Sequence, residues 1–221
     1  MFENPDMRTK VKICGITNLE DGRFASGALV DYLGFIFYEG SPRYVDPGKA
    51  GAIINWLEGP QCVGVFVNQP LDDVNSMSRQ TGIDLVQLHG NESPEYCKLI
   101  DKPVIKAIHI EKSSTVDELK KKVSDYADVV DYLLFDHKSG EQWGGTGEVF
   151  DWKLLEEINP DLPVFLSGGL KVDNIESAIE SVKPFAVDLS SSLEEEPGLK
   201  DFEKIELFID KMRELWKKQE L

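Results

Sequence analysis

Two side chains in this sequence are placed for proton transfer: Cys14 in KICGIT and Asp136 in YLLFD. Each stands near the end of a short apolar run, where a polar group is costly to bury unless it faces a cavity. A free cysteine is ordinarily a small buried hydrophobe. Cys62, which opens an apolar run, and Cys97, inside an amphipathic stretch, read that way. Cys14 differs. Gly15 follows it, and Lys12 lies two residues before it, on the same face of an extended chain. A neighbouring cation favours the thiolate, and a thiolate can act as a base. Asp136 has a plainer alternative as a loop cap, and Asp188 in FAVDLSS shares that ambiguity. A thiol and a carboxyl facing one pocket suit a reaction that needs one base and one acid, such as proton transfer beside a carbonyl or imine.

Other polar groups gather at similar positions. Gln87 and His89 end VQLH, and His109 stands in VIKAIHI. His89 reads as a supporting contact. Arg43, in SPRYV, carries a planar fork that matches a carboxylate, against the alternative of a solvated surface charge. Ser167, Gly168 and Gly169 in LSGGL, and Ser190 and Ser191 in DLSSS, form two turns whose backbone N–H groups can face an anion. No group of three or four has evident zinc-ligand spacing. The formal net charge is −16, which disfavours nucleic acid and anionic membranes as partners. An anionic small molecule would need a local positive field. The three cysteines are odd in number and widely spaced, which excludes a disulfide framework and suits a reducing cytoplasm. No signal peptide or membrane span is expected, because no apolar run approaches the length either needs.

The elements that must position these groups follow from periodicity. Eight apolar runs, at 11–16, 32–37, 62–67, 85–89, 104–110, 132–136, 163–168 and 185–190, are apolar in consecutive positions, as strands buried on both faces are. Amphipathic stretches follow them at 19–30, 47–58, 71–81, 94–101, 116–128, 152–158, 174–182 and 201–218. Asp46, Ser93, Thr115, Asp151 and Asp173 are the expected N-caps. Eight β–α units in 221 residues predict an α/β chain folded as one (β/α)8 TIM barrel, preferred over an open doubly wound sheet. Residues 1–10 read as a polar lead-in and 217–221 as a frayed end of this single catalytic domain. In such a barrel the strand C-termini form the active site, and phosphate is often held after the seventh and eighth strands. Loop 137–149 is the longest, and it is Gly-rich. On these grounds the chain is a phosphate-binding barrel isomerase or epimerase, or a non-catalytic sugar-phosphate-binding barrel.

A more specific assignment comes from motifs. KICGIT (12–17), GFIFYEGSPRYV (34–45), VGVFVN (63–68), VQLHG (86–90), GGTG with FDW (144–152), LSGGL (166–170) and PFAVDLSSSLEEEPGLKD (184–201) resemble the phosphoribosylanthranilate isomerases, in family order and over nearly the whole chain. The resemblance implies a ketol-isomerase of tryptophan biosynthesis. It would carry out the Amadori rearrangement of N-(5-phosphoribosyl)anthranilate to 1-(2-carboxyphenylamino)-1-deoxyribulose 5-phosphate, without metal or cofactor. The sequence leaves monomer and homodimer open. Cys14 matches the family's general base, Asp136 its general acid, and Arg43 the group that holds the anthranilate carboxylate. Gly144, Gly145, Ser167, Gly168, Gly169, Ser190 and Ser191 match the phosphate-side loops. Lys12, Gln87, His89 and Asp188 are expected to complete the substrate site. The roles demand that Asp136 hold a proton and Cys14 lose one near neutral pH, against ordinary values of about 3.9 and 8.5. Burial is expected to raise the first and Lys12 to lower the second. Two departures stand out. Ser192 replaces a family glycine, which would strain the backbone at positive φ. His137 and Lys138 follow Asp136 where a threonine is common.

Overall fold

The computed structural model describes residues 8–111, 113–137 and 152–219. Gly144, Gly145, Lys138, the expected cap Asp151 and all of loop 137–149 except His137 lie outside the described residues. Eight strands form a closed barrel in chain order: β1 Lys10–Cys14, β2 Tyr32–Ile36, β3 Gln61–Phe66, β4 Leu85–Leu88, β5 Val104–Ile110, β6 Tyr132–His137, β7 Val164–Leu166 and β8 Ala186–Leu189. Neighbours pair in parallel, and β1 closes the ring against β8 through Lys12↔Asp188. The helices are α1 Leu19–Gly27, α2 Pro47–Ile54, α3 Leu71–Thr81, α4 Pro94–Cys97, α5 Val116–Tyr126, α6 Lys153–Ile158, α7 Ile175–Val182 and α8 Phe202–Gln219.

The consecutive apolar residues of the strands divide between two cores. Alternate side chains such as Tyr32, Val63, Leu85, Ile105, Leu134 and Phe165 fill the barrel interior. The residues between them, Val11, Ile13, Leu33 and Phe135 among others, pack outward in the helix-facing layer. Lys12 falls on the inward set, and so it is fully buried between Tyr32 and Asp188 in the strand register. Period two therefore places Lys12 and Cys14 on the same interior face.

Capping reproduces most of the expected starts. Asp46 accepts from Lys49 N, Ser93 from Tyr96 N, and Thr115 forms a reciprocal capping box with Glu118. Asp173 does not cap α7: the residue before the helix is Asn174, whose side-chain oxygen accepts from Lys171 N. Helix α1 stops early because Leu29 turns to φ 65°. Helix α8 runs past the expected fraying point to Gln219, whose side chain accepts from Thr9 N. Thr9 is itself buried, so the lead-in ends before it and not at residue 10. A 3-10 turn, Ser191–Leu193, and a small antiparallel pair, β9 Glu194–Glu196 with β10 Leu199–Lys200, follow β8 and were not anticipated from periodicity. Among the described residues no helix is long and apolar enough to cross a membrane.

Candidate active site

The C-terminal end of β1 carries Cys14, opposite Gly34 in the β1–β2 register. A Cβ at Gly34 would lie 2.6 Å from Cys14 Sγ, so glycine there gives the thiol its room. Lys12 Nζ donates to Asp188 Oδ1 at 2.9 Å, with both side chains almost fully buried. Burial pulls the lysine pKa down, but Asp188 and then Cys14 outweigh it, and Lys12 is held protonated, above its ordinary value. A second ammonium approaches from β10: Lys200 Nζ donates to the Cys14 carbonyl at 2.7 Å and to Glu194 Oε1 at 2.8 Å.

The expected lowering of the Cys14 pKa is not what the structure shows. Burial pushes the thiol up; Lys12 and Lys200 pull it down, Asp188 pushes it up again, and the net direction is upward. Desolvation wins because Lys12 already shares its charge with Asp188. The free protein therefore holds Cys14 as a thiol. Alkylation of Cys14 by iodoacetamide, followed by peptide mass spectrometry, should accelerate about tenfold per pH unit from roughly pH 6 to pH 9. A bend below about pH 8 would show a pKa lowered as first expected.

Asp136 is the penultimate residue of β6 and is buried, beside His109 in the β5–β6 register. His89, at the end of β4, holds Nε2 3.3 Å from Asp136 Oδ2. Gln87 Nε2 lies 3.0 Å from His89 Nδ1. An amide nitrogen only donates, so Nδ1 accepts and the ring proton sits on Nε2, facing Asp136. His109 lines neither part of the cavity described below; its Nε2 donates to the His89 carbonyl at 2.9 Å. Behind His89, the buried pair Lys106–Glu92 ties down the β4 end: Lys106 Nζ donates to Leu88 O and Gly90 O, and Glu92 accepts from Gly90 N and Asn68 N.

The barrel mouth has two adjoining lobes. One is bordered by Cys14, Tyr38, Arg43, Gln87 and His89, the other by Gly168, Gly169, Lys171, Ser191 and Ser192. Asp136, Ser167, Asp188 and Ser190 border both. Gly168 and Gly169 take φ of 88° and 66°, and a Cβ on Gly168 would meet His137 N at 2.8 Å. This turn thus requires glycine, and it packs directly against the Asp136 end of β6. Ser190 Oγ and Gln87 Oε1 are buried without a hydrogen-bond partner among the described residues. Ser192 lies in the 3-10 turn and is not among the residues of positive φ, so the strain expected of it does not arise.

Arg43 is not a solvated surface charge. Its Nε and Nη2 form a fork on Glu194 at 2.7 to 3.0 Å, with the arginine mostly buried. Glu194 takes the side edge of the guanidinium. The end-on edge, Nη1 with the second N–H of Nη2, is the one left for another carboxylate. Glu194 is pushed up by burial, but Arg43 and Lys200 more than compensate, and its pKa lies below the usual carboxylate range. Glu194 and Lys200 were not singled out from sequence. Their only signal was membership of the matched segment 184–201.

Residues 11–211 match the family model described as N-(5'phosphoribosyl)anthranilate (PRA) isomerase. An N-(5'-phosphoribosyl)anthranilate isomerase of Geobacter metallireducens is 45% identical over 201 residues, covering 90% of this chain and 96% of that one. The crystal structure of the phosphoribosyl anthranilate isomerase of Thermotoga maritima superposes with a TM-score of 0.85 at 39% identity, covering 93% and 99% of the two chains. A phosphoribosyl anthranilate isomerase structure in complex with reduced 1-(o-carboxyphenylamino)-1-deoxyribulose 5-phosphate gives a TM-score of 0.82 at 36% identity, covering 93% of this chain and 99% of that one.

Proposed function

Since the chain belongs to the N-(5'-phosphoribosyl)anthranilate isomerase family, we propose that its isomerisation runs with Asp136 as general acid and Cys14 as general base. The enzyme acts in tryptophan biosynthesis, converting the aldose-derived aminosugar to its ketose isomer. The observation that carries the residue assignment is the two-lobed mouth. A thiol, a carboxyl and an arginine border one lobe, the Gly/Ser turns border the other, and Asp136 lies on the boundary.

The substrate has a carboxylate at one end and a phosphate at the other. The arginine lobe suits the anthranilate, and the Gly/Ser lobe the phosphate. That orientation sets the furanose between Cys14 and Asp136. Asp136 delivers its proton to the ring oxygen, the C1–O bond breaks, and the nitrogen lone pair forms an iminium. His89 Nε2–H then donates to the carboxylate that Asp136 has become. The iminium acidifies the C2 proton. As the iminium forms, the Cys14 thiol gives up its own proton to solvent; the thiolate then takes the C2 proton, the C–H electrons form the enolamine, and tautomerisation yields the ketone. The cationic iminium supplies at this moment the counter-charge that the resting thiol lacks, so the base is activated by the first step. Lys12, neutralised by Asp188, holds the β1 and β8 ends together beneath the reacting carbons. Gln87 sets the His89 tautomer. Gly144 and Gly145 are assigned to the phosphate side on their motif alone.

The assay is direct. Adding the protein to phosphoribosylanthranilate should extinguish the substrate's fluorescence at a rate proportional to enzyme. An unchanged signal with folded protein would refute the assignment. For Arg43→Ala we expect KM raised about tenfold or more, the worth of one charge-assisted hydrogen bond, with a smaller change in kcat. An unchanged KM would place the anthranilate carboxylate elsewhere.

A further inference from the structure

We propose that His89, His109 and Asp136 form a binding site for a divalent late-transition metal ion such as Zn2+, and that its occupancy inhibits the isomerase reversibly. The three residues lie at the C-terminal ends of adjacent strands, His89 just after β4 and His109 and Asp136 one residue before the ends of β5 and β6, and each brings one ligand atom within 4.8 Å of the others. His89 Nε2 and Asp136 Oδ2 are already 3.3 Å apart. That is about the edge of a tetrahedron with metal–ligand bonds of about 2.0 Å. His109 has only to close the remaining gap; its ring stands 81° from that of His89, with centroids 4.8 Å apart.

The donor set is right for such an ion. Two imidazoles and one carboxylate make the N,N,O set of open zinc sites, which keep a fourth position for water or ligand. Here the fourth position opens to the thiol lobe, which His89 and Asp136 border. Imidazole must be neutral to bind metal. Burial, and then His89, push the His109 pKa down to about 3, so its ring is uncharged at neutral pH. With Nε2 given to the His89 carbonyl, the lone pair of His109 lies on Nδ1.

A supporting contact for His89 is also present. At rest Gln87 Nε2 donates to His89 Nδ1, while Gln87 Oε1 is buried without a hydrogen-bond partner among the described residues. Turning that amide over brings Oε1 to Nδ1. The ring proton then moves from Nε2 to Nδ1 and donates to Oε1, and the Nε2 lone pair faces the metal. The proton balance is complete: His89 only changes tautomer, and the proton that the proposed acid role gives Asp136 leaves to solvent. A metal-bound Asp136 has no proton for the furanose oxygen, so turnover stops until the ion is removed. The inhibition rests on the acid role proposed for Asp136; the binding does not.

The test separates the two. Metal-free full-length protein is titrated with Co2+ and followed by visible absorption, and Zn2+ inhibition is measured in parallel with reversal by a chelator. The expected result is one saturable Co2+ per chain without a thiolate-to-cobalt charge-transfer band, and inhibition competitive with substrate. His109→Ala should weaken both binding and inhibition at least about tenfold while leaving metal-free turnover unchanged. His109→Gln, whose amide still donates to the His89 carbonyl, serves as the second variant if the alanine destabilises the fold. Absence of saturable binding, a thiolate band from Cys14, or undiminished affinity in the folded His109 variants would overturn the site. Co2+ and Zn2+ binding at full turnover would leave the site standing and overturn Asp136 as the acid.

Discussion

Asp136→Asn is expected to lower kcat by at least about a hundredfold, the low end of what a positioned general acid contributes. The substitution changes almost nothing except the capacity to deliver a proton. Asn is the same size, and its carbonyl oxygen can still accept from His89 Nε2, now 3.3 Å from the carboxylate. The backbone of β6 and the glycine turn packed against it, where a Cβ on Gly168 would meet His137 N, are left as they are. Ring opening is the step that suffers, because the leaving furanose oxygen must depart without protonation. KM should move far less than kcat. Near-normal turnover by the folded variant would remove Asp136 from the acid role and direct attention to Asp188, the other carboxylate bordering both lobes.

Cys14→Ser should also cost at least about a hundredfold in kcat, for a different reason. The hydroxyl fits where the thiol sits against Gly34, so the barrel closure at β1–β2 is retained. A serine hydroxyl, however, is a far weaker acid than a thiol, and the iminium charge that suffices to draw off a thiol proton does not suffice for it. Proton abstraction from C2 then becomes the slow step. Substrate deuterated at C2 should accordingly show a large primary isotope effect with Cys14→Ser and a small one with Asp136→Asn, which is blocked earlier. Equal isotope effects in the two variants would contradict the division of labour, and retained turnover in Cys14→Ser would remove the base.

Much of this arrangement was legible in the chain itself. Strand ends could be read because apolar runs and their amphipathic partners recur eight times, and period two places Lys12 with Cys14 whatever lies around them. Caps at Asp46, Ser93 and Thr115 could be read because their hydrogen bonds close within three residues. The misreading at Asp173 came from the same source: two capping residue types stand side by side, and local sequence does not say which one meets the helix.

The sequence by itself determined the barrel, the strand ends that carry Cys14, Asp136 and the Gly/Ser turns, and through its motifs the family. These depend on side-chain direction and hydrogen bonds set by neighbours along the chain. Only the tertiary structure decided how the groups are charged and held. Glu194 grips Arg43 from 151 residues away, and Lys200 reaches the Cys14 carbonyl across 186. His89, His109 and Asp136 meet because three successive strands align at one rim. The proton affinity of Cys14 belongs to this second group. A lysine two residues away argued for a lowered value, but desolvation depends on everything that surrounds the thiol, and the fold both buries Cys14 and commits Lys12 to Asp188.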